Sequence, residues 1–214
     1  MMERIGYDEV LRMLRGAADA IRAQHEMLSK LDSAGGDGDH GTTMLRAMSN
    51  LEKVIATAST PELKTLLHDV GWAILGVDGG ATGPLLGAFF LAMAEAVGDR
   101  HALDADDVAA MFAAGLKGVQ EQTKARPGDK TMIDALLPAV DAIQAAAKEG
   151  GDIKALFQRA AAAAAEGAAA TTAMRARFGR ARNLKEKSIG NQDPGATSVS
   201  LIFEGFKKGI DTHA

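Results

Sequence analysis

Three aspartates, Asp32, Asp37 and Asp39, lie within eight residues of one another in a glycine-rich segment. Glycine lets a backbone fold back sharply, so a segment of this composition can bring the three carboxylates together. Carboxylates held close to one another repel unless a cation lies among them, and hard divalent cations prefer oxygen ligands. We therefore predict a Mg²⁺ site in this acidic loop, with the metal shared with a phosphate-bearing ligand.

Other interpretations of the acidic loop fit less well. Residues 36–41 match the letters of the dinucleotide fingerprint G-x-G-x-x-G, but that motif follows a strand, whereas a helical pattern precedes it here. Asp37 and Asp39 would also repel a pyrophosphate. An EF-hand is excluded because the acids do not alternate and position twelve from Asp37 is Met48. A solvated turn in which Asp39 caps the next helix stays open as an alternative.

The composition restricts the class of protein. The chain has 214 residues, 47% of them hydrophobic and few of them aromatic, which favours helices and at most two small domains. A net charge of -4 argues against a nucleic-acid partner. The absence of cysteine excludes disulfides and thiolate metal sites. No apolar stretch resembles a signal peptide or a membrane span, so we expect a cytoplasmic protein without a membrane partner.

Hydrophobic periodicity predicts eight helices, with no domain linker and no repeat. The predicted helices cover residues 8–30 and 42–57, a third that opens at residues 60–62, a fourth that ends near 97, residues 105–122, a sixth that ends near 148, a seventh that begins near 152, and a last that opens at 193–195. Asp and Thr caps, and prolines at first helical positions, mark several of these starts.

Alternation of the helices would gather the unusual connections at one end. If eight helices run up and down in turn, the first, third, fifth and seventh connections lie on the same side. Those four are glycine-rich or charged, and they are the acidic loop and residues 76–84, 123–131 and 178–192. The other connections are short and carry ordinary caps. The pattern predicts one ligand site at one end of an all-α fold.

Three features of these connections allow more than one interpretation. Residues 79–83 could bind phosphate through backbone N–H groups at a helix start, or could form a plain turn. Met132 could form an apolar wall of the ligand site or belong to the core. Arg and Lys residues at 175–187 could supply a phosphate-binding arginine, a docking face or a solvated surface.

Charge arithmetic favours two metal ions. Three carboxylates facing a nucleoside diphosphate would bring together roughly six negative charges, which two Mg²⁺ ions would reduce to about minus two. Such a site is suited to phosphoryl transfer, in which positioning and electrostatic stabilisation provide most of the catalysis.

Five ordered blocks of the sequence resemble one known family. They are Leu31-Asp32 together with residues 36–41, then residues 80–85, 127–136, 179–181 and 188–196. In these blocks the whole chain resembles the nucleotide-binding L subunit of dihydroxyacetone kinases, the DhaL or DAK2 domain. Two positions depart from the family pattern: Thr82 stands where Ser is common, and Thr123 stands where Gly is common.

The resemblance implies an all-α, eight-helix antiparallel barrel formed by a single domain over residues 1–214, with nucleotide bound at one end. It implies that Asp32, Asp37 and Asp39 hold two Mg²⁺ ions. It also implies a set of nucleotide-binding residues, which are His40, Gly41, Thr42, Thr43, Ala81 and Thr82 at the phosphates, Thr123 and Met132 at the adenine, and Arg180, Asp193, Pro194 and Gly195 closing over the nucleotide.

The same resemblance implies an enzyme subunit without a catalytic residue of its own. The phosphoryl group of Mg²⁺-bound ATP, or of ADP rephosphorylated by a phosphotransferase-system protein, would pass to a short ketose. That ketose would be held by a histidine of a separate K-type subunit. A nucleotide-holding regulatory module, an acyl-phosphate-forming relative and a homodimer are the alternatives that stay open.

Overall fold

Eight long helices contain most of residues 2–212, which are the residues that the computed structural model describes. The helices are α1 (Tyr7–Ser33), α2 (His40–Thr57), α3 (Leu63–Leu75), α4 (Thr82–Val97), α5 (Ala105–Gln122), α6 (Ile133–Lys148), α7 (Ile153–Ala170) and α8 (Pro194–Asp211). Two 3₁₀ segments, Thr171–Ala173 and Arg180–Ser188, lie between α7 and α8, and strands β1 (Ile5–Gly6) and β2 (Ala102–Leu103) form an antiparallel pair.

Local capping explains several helix starts. The side chains of Asp104, Asp152 and Asp193 each accept a hydrogen bond from a backbone N–H in the first turn of α5, α7 and α8. The predicted start of α3 is wrong, since this helix begins at Leu63 with Glu62 as its N-cap. The buried face of α3 begins at Leu63, so packing rather than the Thr-Pro signal sets its first residue.

The helices form a closed ring, because each one packs against the next and α8 packs against α1. Glycines allow α1 and α8 to approach closely. A Cβ atom on Gly16 would lie 2.2 Å from the carbonyl oxygen of Gly205, and one on Gly205 would lie 2.4 Å from the backbone nitrogen of Ala17. The predicted eight-helix antiparallel barrel is therefore confirmed.

Aromatic rings fill part of the interior of the ring. The ring of Phe112 on α5 lies with its centroid 5.5–6.0 Å from those of Phe89, Phe157, Phe203 and Phe206, which come from α4, α7 and α8. These spacings are typical of favourable edge and tilted aromatic pairs. The core thus joins helices from both halves of the chain.

The N-terminal segment ties together the connections at one end of the ring. Strand β1 pairs with β2 in the α4–α5 connection. The backbone N–H of Met2 donates to Asp152 at 3.2 Å, and the N–H of Ile153 donates to the carbonyl of Met2 at 3.1 Å. We call this the closed end. Among residues 2–212, no helix has both the length and the apolar character needed to span a bilayer.

Candidate nucleotide and metal site

A cavity of about 330 Å³ lies at the other end of the ring, where the α1–α2, α3–α4, α5–α6 and α7–α8 connections meet. This is the arrangement that the alternation of helices predicted. The first residues of α2, α4, α6 and α8 all line the cavity: His40, Thr82, Ile133 and Pro194. Four helix N-termini therefore direct the positive ends of their dipoles towards it, which favours an anionic ligand.

The three predicted metal ligands converge at the rim of this cavity. One carboxylate oxygen of each of Asp32, Asp37 and Asp39 lies within 4.8 Å of the others. Asp32 is on the last turn of α1, and its Oδ2 accepts hydrogen bonds from the N–H of Gly38 at 2.9 Å and of His40 at 3.4 Å. Such an all-oxygen set matches the ligands that Mg²⁺ uses in proteins.

The alternative role for Asp39, as a helix cap, does not agree with its geometry. Asp39 occupies the N-cap position of α2, but its side chain makes no capping hydrogen bond, and its backbone is in the helical region. Asp37 and Asp39 are both exposed. Their oxygens are therefore available to a cation on the cavity side.

Arg180 reaches the acidic loop from the α7–α8 connection. Its guanidinium group forms an ion pair with the carboxylate of Asp37, and both side chains are largely exposed. An exposed ion pair contributes little stability, so the guanidinium can move to another anion at low cost. Its planar set of donors is suited to phosphate oxygens.

His40 connects three helices beneath the acidic loop. Its Nε2 lies 3.1 Å from Ser198 Oγ on α8, and its Nδ1 lies 3.4 Å from Thr82 Oγ1 on α4. Ser198 donates its own proton to the carbonyl of Gly195, which assigns the imidazole proton to Nε2 and makes Nδ1 an acceptor. Burial lowers the pKa of His40, so the ring is neutral at pH 7.

Thr43 has a buried hydroxyl with an unused capacity for hydrogen bonding. The residue is 1% exposed and lines the cavity, and its Oγ1 has no partner among the described residues. A buried hydroxyl without a partner costs about 1–3 kcal/mol. Gly79 lies against this oxygen, since a Cβ there would be only 2.5 Å away. A phosphate oxygen entering beside Gly79 would supply the partner.

The other predicted nucleotide residues divide into two groups. Ala81, Thr82, Thr123, Met132, Arg180, Asp193, Pro194 and Gly195 line the cavity. Gly41 and Thr42 do not. Gly41 packs against α1, where a Cβ would lie 1.8 Å from the carbonyl oxygen of His25, and Thr42 is exposed. The predicted phosphate contacts of these two residues stay predictions.

Three further polar residues line or support the site, although no separate prediction was made for them: Ser198 and Lys130 line the cavity, and Asp134 holds the turn that contains Lys130. Ser198 orients His40, as described above. Asp134 accepts hydrogen bonds from the N–H groups of Gly128 at 2.5 Å and Thr131 at 2.7 Å. Lys130 is buried at the cavity wall. Asp134 and Lys130 lie in the block of residues 127–136, but no sequence signal predicts their contacts.

The carboxyl group of Asp193 has a raised pKa. Burial of its carboxyl group and the nearby charge of Asp134 together raise the pKa of Asp193 to about 7, while the N–H groups of Ala196 and Gly195 and the charge of Lys130 oppose the shift. The N–H of Ala196 donates to Asp193 at 2.7 Å.

Comparisons with known proteins show which family the chain resembles. The family model for the DAK2 domain matches residues 34–208. The PEP-dependent dihydroxyacetone kinase ADP-binding subunit DhaL of Escherichia coli is 35% identical over 196 residues, which cover 92% of this chain and 93% of that protein. A subunit of the same description from Listeria innocua is 36% identical and covers 93% and 94%.

A solved structure shows the same fold with a ligand of the expected chemistry. The dihydroxyacetone kinase of C. freundii in complex with AMP-PNP and Mg²⁺ superposes with a TM-score of 0.74 at 26% identity, over 97% of this chain and 35% of that one. These relatives are named as kinases, which confirms the prediction of a phosphotransferase. Because the family model matches most of its length, this chain belongs to the DAK2 domain family.

Proposed function

We propose that this chain is the nucleotide-binding subunit of a dihydroxyacetone-type kinase, which transfers a phosphoryl group to a short ketose held on a separate K-type subunit. The observation that carries the proposal is the convergence of Asp32, Asp37 and Asp39 within 4.8 Å, at a cavity onto which four helix N-termini open. Carboxylates attract cations, whereas helix N-termini attract anions. A ligand that combines metal cations with phosphate anions therefore satisfies both.

The three aspartates would hold two Mg²⁺ ions, and the ions would offset the charge of the nucleotide phosphates. Thr43 would donate its unused hydroxyl to a phosphate oxygen, together with backbone N–H groups at the starts of α2 and α4. Arg180 would exchange its contact with Asp37 for a phosphate, which would reduce the remaining negative charge. The aspartates and the backbone N–H groups are positioned before the ligand arrives, as electrostatic catalysis requires.

Apolar side chains line another part of the cavity. Met132 is 8% exposed at the start of α6, and it lies with Leu85 and Ile133 among the cavity-lining residues. Thr123 lies on the same connection, where its Oγ1 accepts a hydrogen bond from the N–H of Ala125 at 3.1 Å. We assign the adenine ring to this side and the phosphates to the acidic loop.

The acceptor of the phosphoryl group would come from a second protein. His40 is the histidine of the cavity lining, and it is held beneath the acidic loop by Ser198 and Thr82, so it cannot carry a ketose. A K-type subunit that covers the cavity would provide the ketose and its histidine. Both components would meet in the cytoplasm.

Reconstitution tests this function. The purified chain, a K-type subunit, dihydroxyacetone and MgATP, or a phosphotransferase-system donor in place of ATP, should form sugar phosphate only when all components are present. Asp37→Asn should reduce the rate about 100-fold or more, and Asp106→Asn, an exposed position on α5 at the closed end, should not. Sugar phosphate formation at the normal rate by Asp37→Asn would refute the metal assignment.

The nucleotide carried by the purified protein distinguishes the two phosphoryl donors. Denaturation after gel filtration should release about one ADP per chain if ADP is resident and is rephosphorylated in place. We propose this route, since the E. coli and L. innocua relatives are named as PEP-dependent, ADP-binding subunits. Release of no nucleotide would indicate that ATP exchanges freely.

A further inference from the structure

We propose that Lys130 is a positioning residue, whose buried ammonium group holds the α7–α8 connection against the wall of the cavity. The proposal rests on the nucleotide-binding function proposed above and extends it to the closure of the site. It concerns a residue that touches backbone carbonyls instead of the nucleotide.

The ammonium group of Lys130 is fully occupied by these carbonyls. Its Nζ donates to the carbonyl of Thr171 at 2.8 Å, of Asn191 at 2.5 Å and of Met174 at 3.3 Å. An ammonium group has three N–H donors, so none is left for a phosphate oxygen. Lys130 is 5% exposed. Burial lowers the pKa of its ammonium group, and the nearby charge of Asp193 opposes that shift.

The three carbonyls lie at both ends of one segment, residues 171–193, which we call the closing segment. Thr171 and Met174 follow the C-terminal end of α7, and Asn191 precedes the cap of α8. Carbonyls after a helix C-terminus carry partial negative charge, which a cation stabilises. Lys130 therefore ties the two ends of the closing segment to the α5–α6 connection.

The conformation of Lys130 is itself fixed by its neighbours. Its φ of 62° lies in the left-handed region, which is costly for a residue with a side chain. The carboxylate of Asp134 holds this turn, because it accepts hydrogen bonds from the N–H groups of Gly128 and Thr131 on either side of Lys130. The side chain is thus directed at the closing segment before any ligand binds.

The closing segment carries Arg180 and ends at Asp193, both of which line the cavity. The N–H of Arg177 also joins the segment to the carbonyl of Asp129 at 3.1 Å, and Arg180 joins it to Asp37 through an ion pair. The N–H of Asp193 donates to Thr171 Oγ1 at 2.9 Å, which ties the two ends of the segment to each other. Loss of the ammonium group would leave three carbonyls without their donor. The segment would then open more often, and a bound nucleotide would leave faster.

The test measures nucleotide release and backbone exchange in the same variants. Lys130→Met should speed the dissociation of a fluorescent ADP analogue with Mg²⁺ about tenfold or more. In the nucleotide-free protein it should also speed amide hydrogen exchange within residues 171–193 and leave α1–α6 unchanged. Lys124→Met, an exposed lysine of the same connection, should change neither quantity.

A chemical rescue separates the charge from the shape of the side chain. The chain has no cysteine, so Lys130→Cys can be alkylated uniquely in the unfolded state with 2-bromoethylamine, which rebuilds an ammonium group at the same distance from Cα. Refolded aminoethylated protein should regain slow exchange and slow nucleotide release. Wild-type protein taken through the same treatment is the control.

Several results would overturn the positioning role. Unchanged exchange of residues 171–193 in Lys130→Met would do so, even if nucleotide affinity fell, because that pattern belongs to a direct phosphate ligand. Global loss of helix in both neutral variants would also do so, since the ammonium would then support the whole ring. Failure of wild-type protein to bind Mg²⁺ and ADP would instead refute the proposed function.

Discussion

The two ends of the helical ring satisfy their polar groups in different ways. At the closed end, Asp104 and Asp152 cap helices, and the N-terminal segment joins the α4–α5 and α6–α7 connections. At the cavity end, three carboxylates converge, the Thr43 hydroxyl has no partner, and burial raises the pKa of Asp193 to about 7. The same fold thus carries ordinary helix starts at one end and uncompensated groups at the other.

This difference supports the proposed position of the ligand at the cavity end. Uncompensated polar groups cost stability, so they persist only where something offsets the cost. Helix caps at the closed end satisfy their own backbone groups and have no need of a ligand. The predictions below compare residues of the cavity end with matched residues that lie at the closed end or whose polar groups have partners.

The largest effect on nucleotide binding should appear when two aspartates are compared, each of which accepts hydrogen bonds from backbone N–H groups. Asp32→Asn at the cavity end should weaken Mg²⁺-dependent nucleotide binding about 100-fold, because the metal loses a charged ligand. Asp152→Asn at the closed end should leave binding unchanged and lower the free energy of unfolding by about 1 kcal/mol or less. Calorimetric titration and urea unfolding measure the two quantities. Equal effects of both variants on binding would contradict the assignment of the ends.

A smaller effect should come from two buried threonines. Thr43→Val removes a hydroxyl without a partner, so it should weaken nucleotide binding about tenfold while the unfolding free energy of the nucleotide-free protein stays the same or rises. Thr171→Val removes a hydroxyl that donates to Ala168 and accepts from Asp193, so it should destabilise the nucleotide-free protein. Thermal unfolding with and without MgADP compares them. Destabilisation of the free protein by Thr43→Val would show that its hydroxyl has a structural partner.

The smallest effect concerns pH. The Asp193 carboxyl holds its proton more tightly in the folded chain, where its pKa is about 7, than at its ordinary value of 3.8. Between about pH 4 and pH 7 the folded state therefore binds more protons than the unfolded state, and the free energy of unfolding falls as pH rises. Asp193→Asn should flatten this dependence in urea unfolding of nucleotide-free protein. Asp104→Asn, which changes a helix cap at the closed end, controls for the loss of a cap carboxylate.

Much of the fold could be predicted from the sequence because its signals are local. The cap at Asp104 and the bounds of α5 follow from residues within one turn of each other, and the alternation of short and glycine-rich connections predicted the end at which the cavity lies. The start of α3 was misplaced because burial of Leu63 outweighs the Thr-Pro signal. The β1–β2 pair could not be predicted, since each strand has two residues and they are distant in sequence.

The candidate site also has features that could be predicted from the sequence and features that could not. Convergence of Asp32, Asp37 and Asp39 could be predicted because they are close in sequence and the glycines between them let the backbone fold back sharply. The contacts of Lys130 with Thr171 and Asn191 could not, because they depend on how α6, α7 and α8 pack. Arg180 was predicted as a site residue from the family resemblance. Its contact with Asp37 could not be predicted, because it depends on how the α1–α2 and α7–α8 connections meet in the folded ring.

The most direct test of the central claim is the titration of ADP into nucleotide-free protein with and without Mg²⁺. If the three aspartates bind nucleotide only through a divalent cation, ADP should bind tightly with Mg²⁺ and about 100-fold or more weakly in EDTA. Asp37→Asn should bind weakly in both conditions, and Asp106→Asn should behave as wild type. Equal binding of ADP in Mg²⁺ and in EDTA would contradict the claim that metal joins the acidic loop to the phosphates.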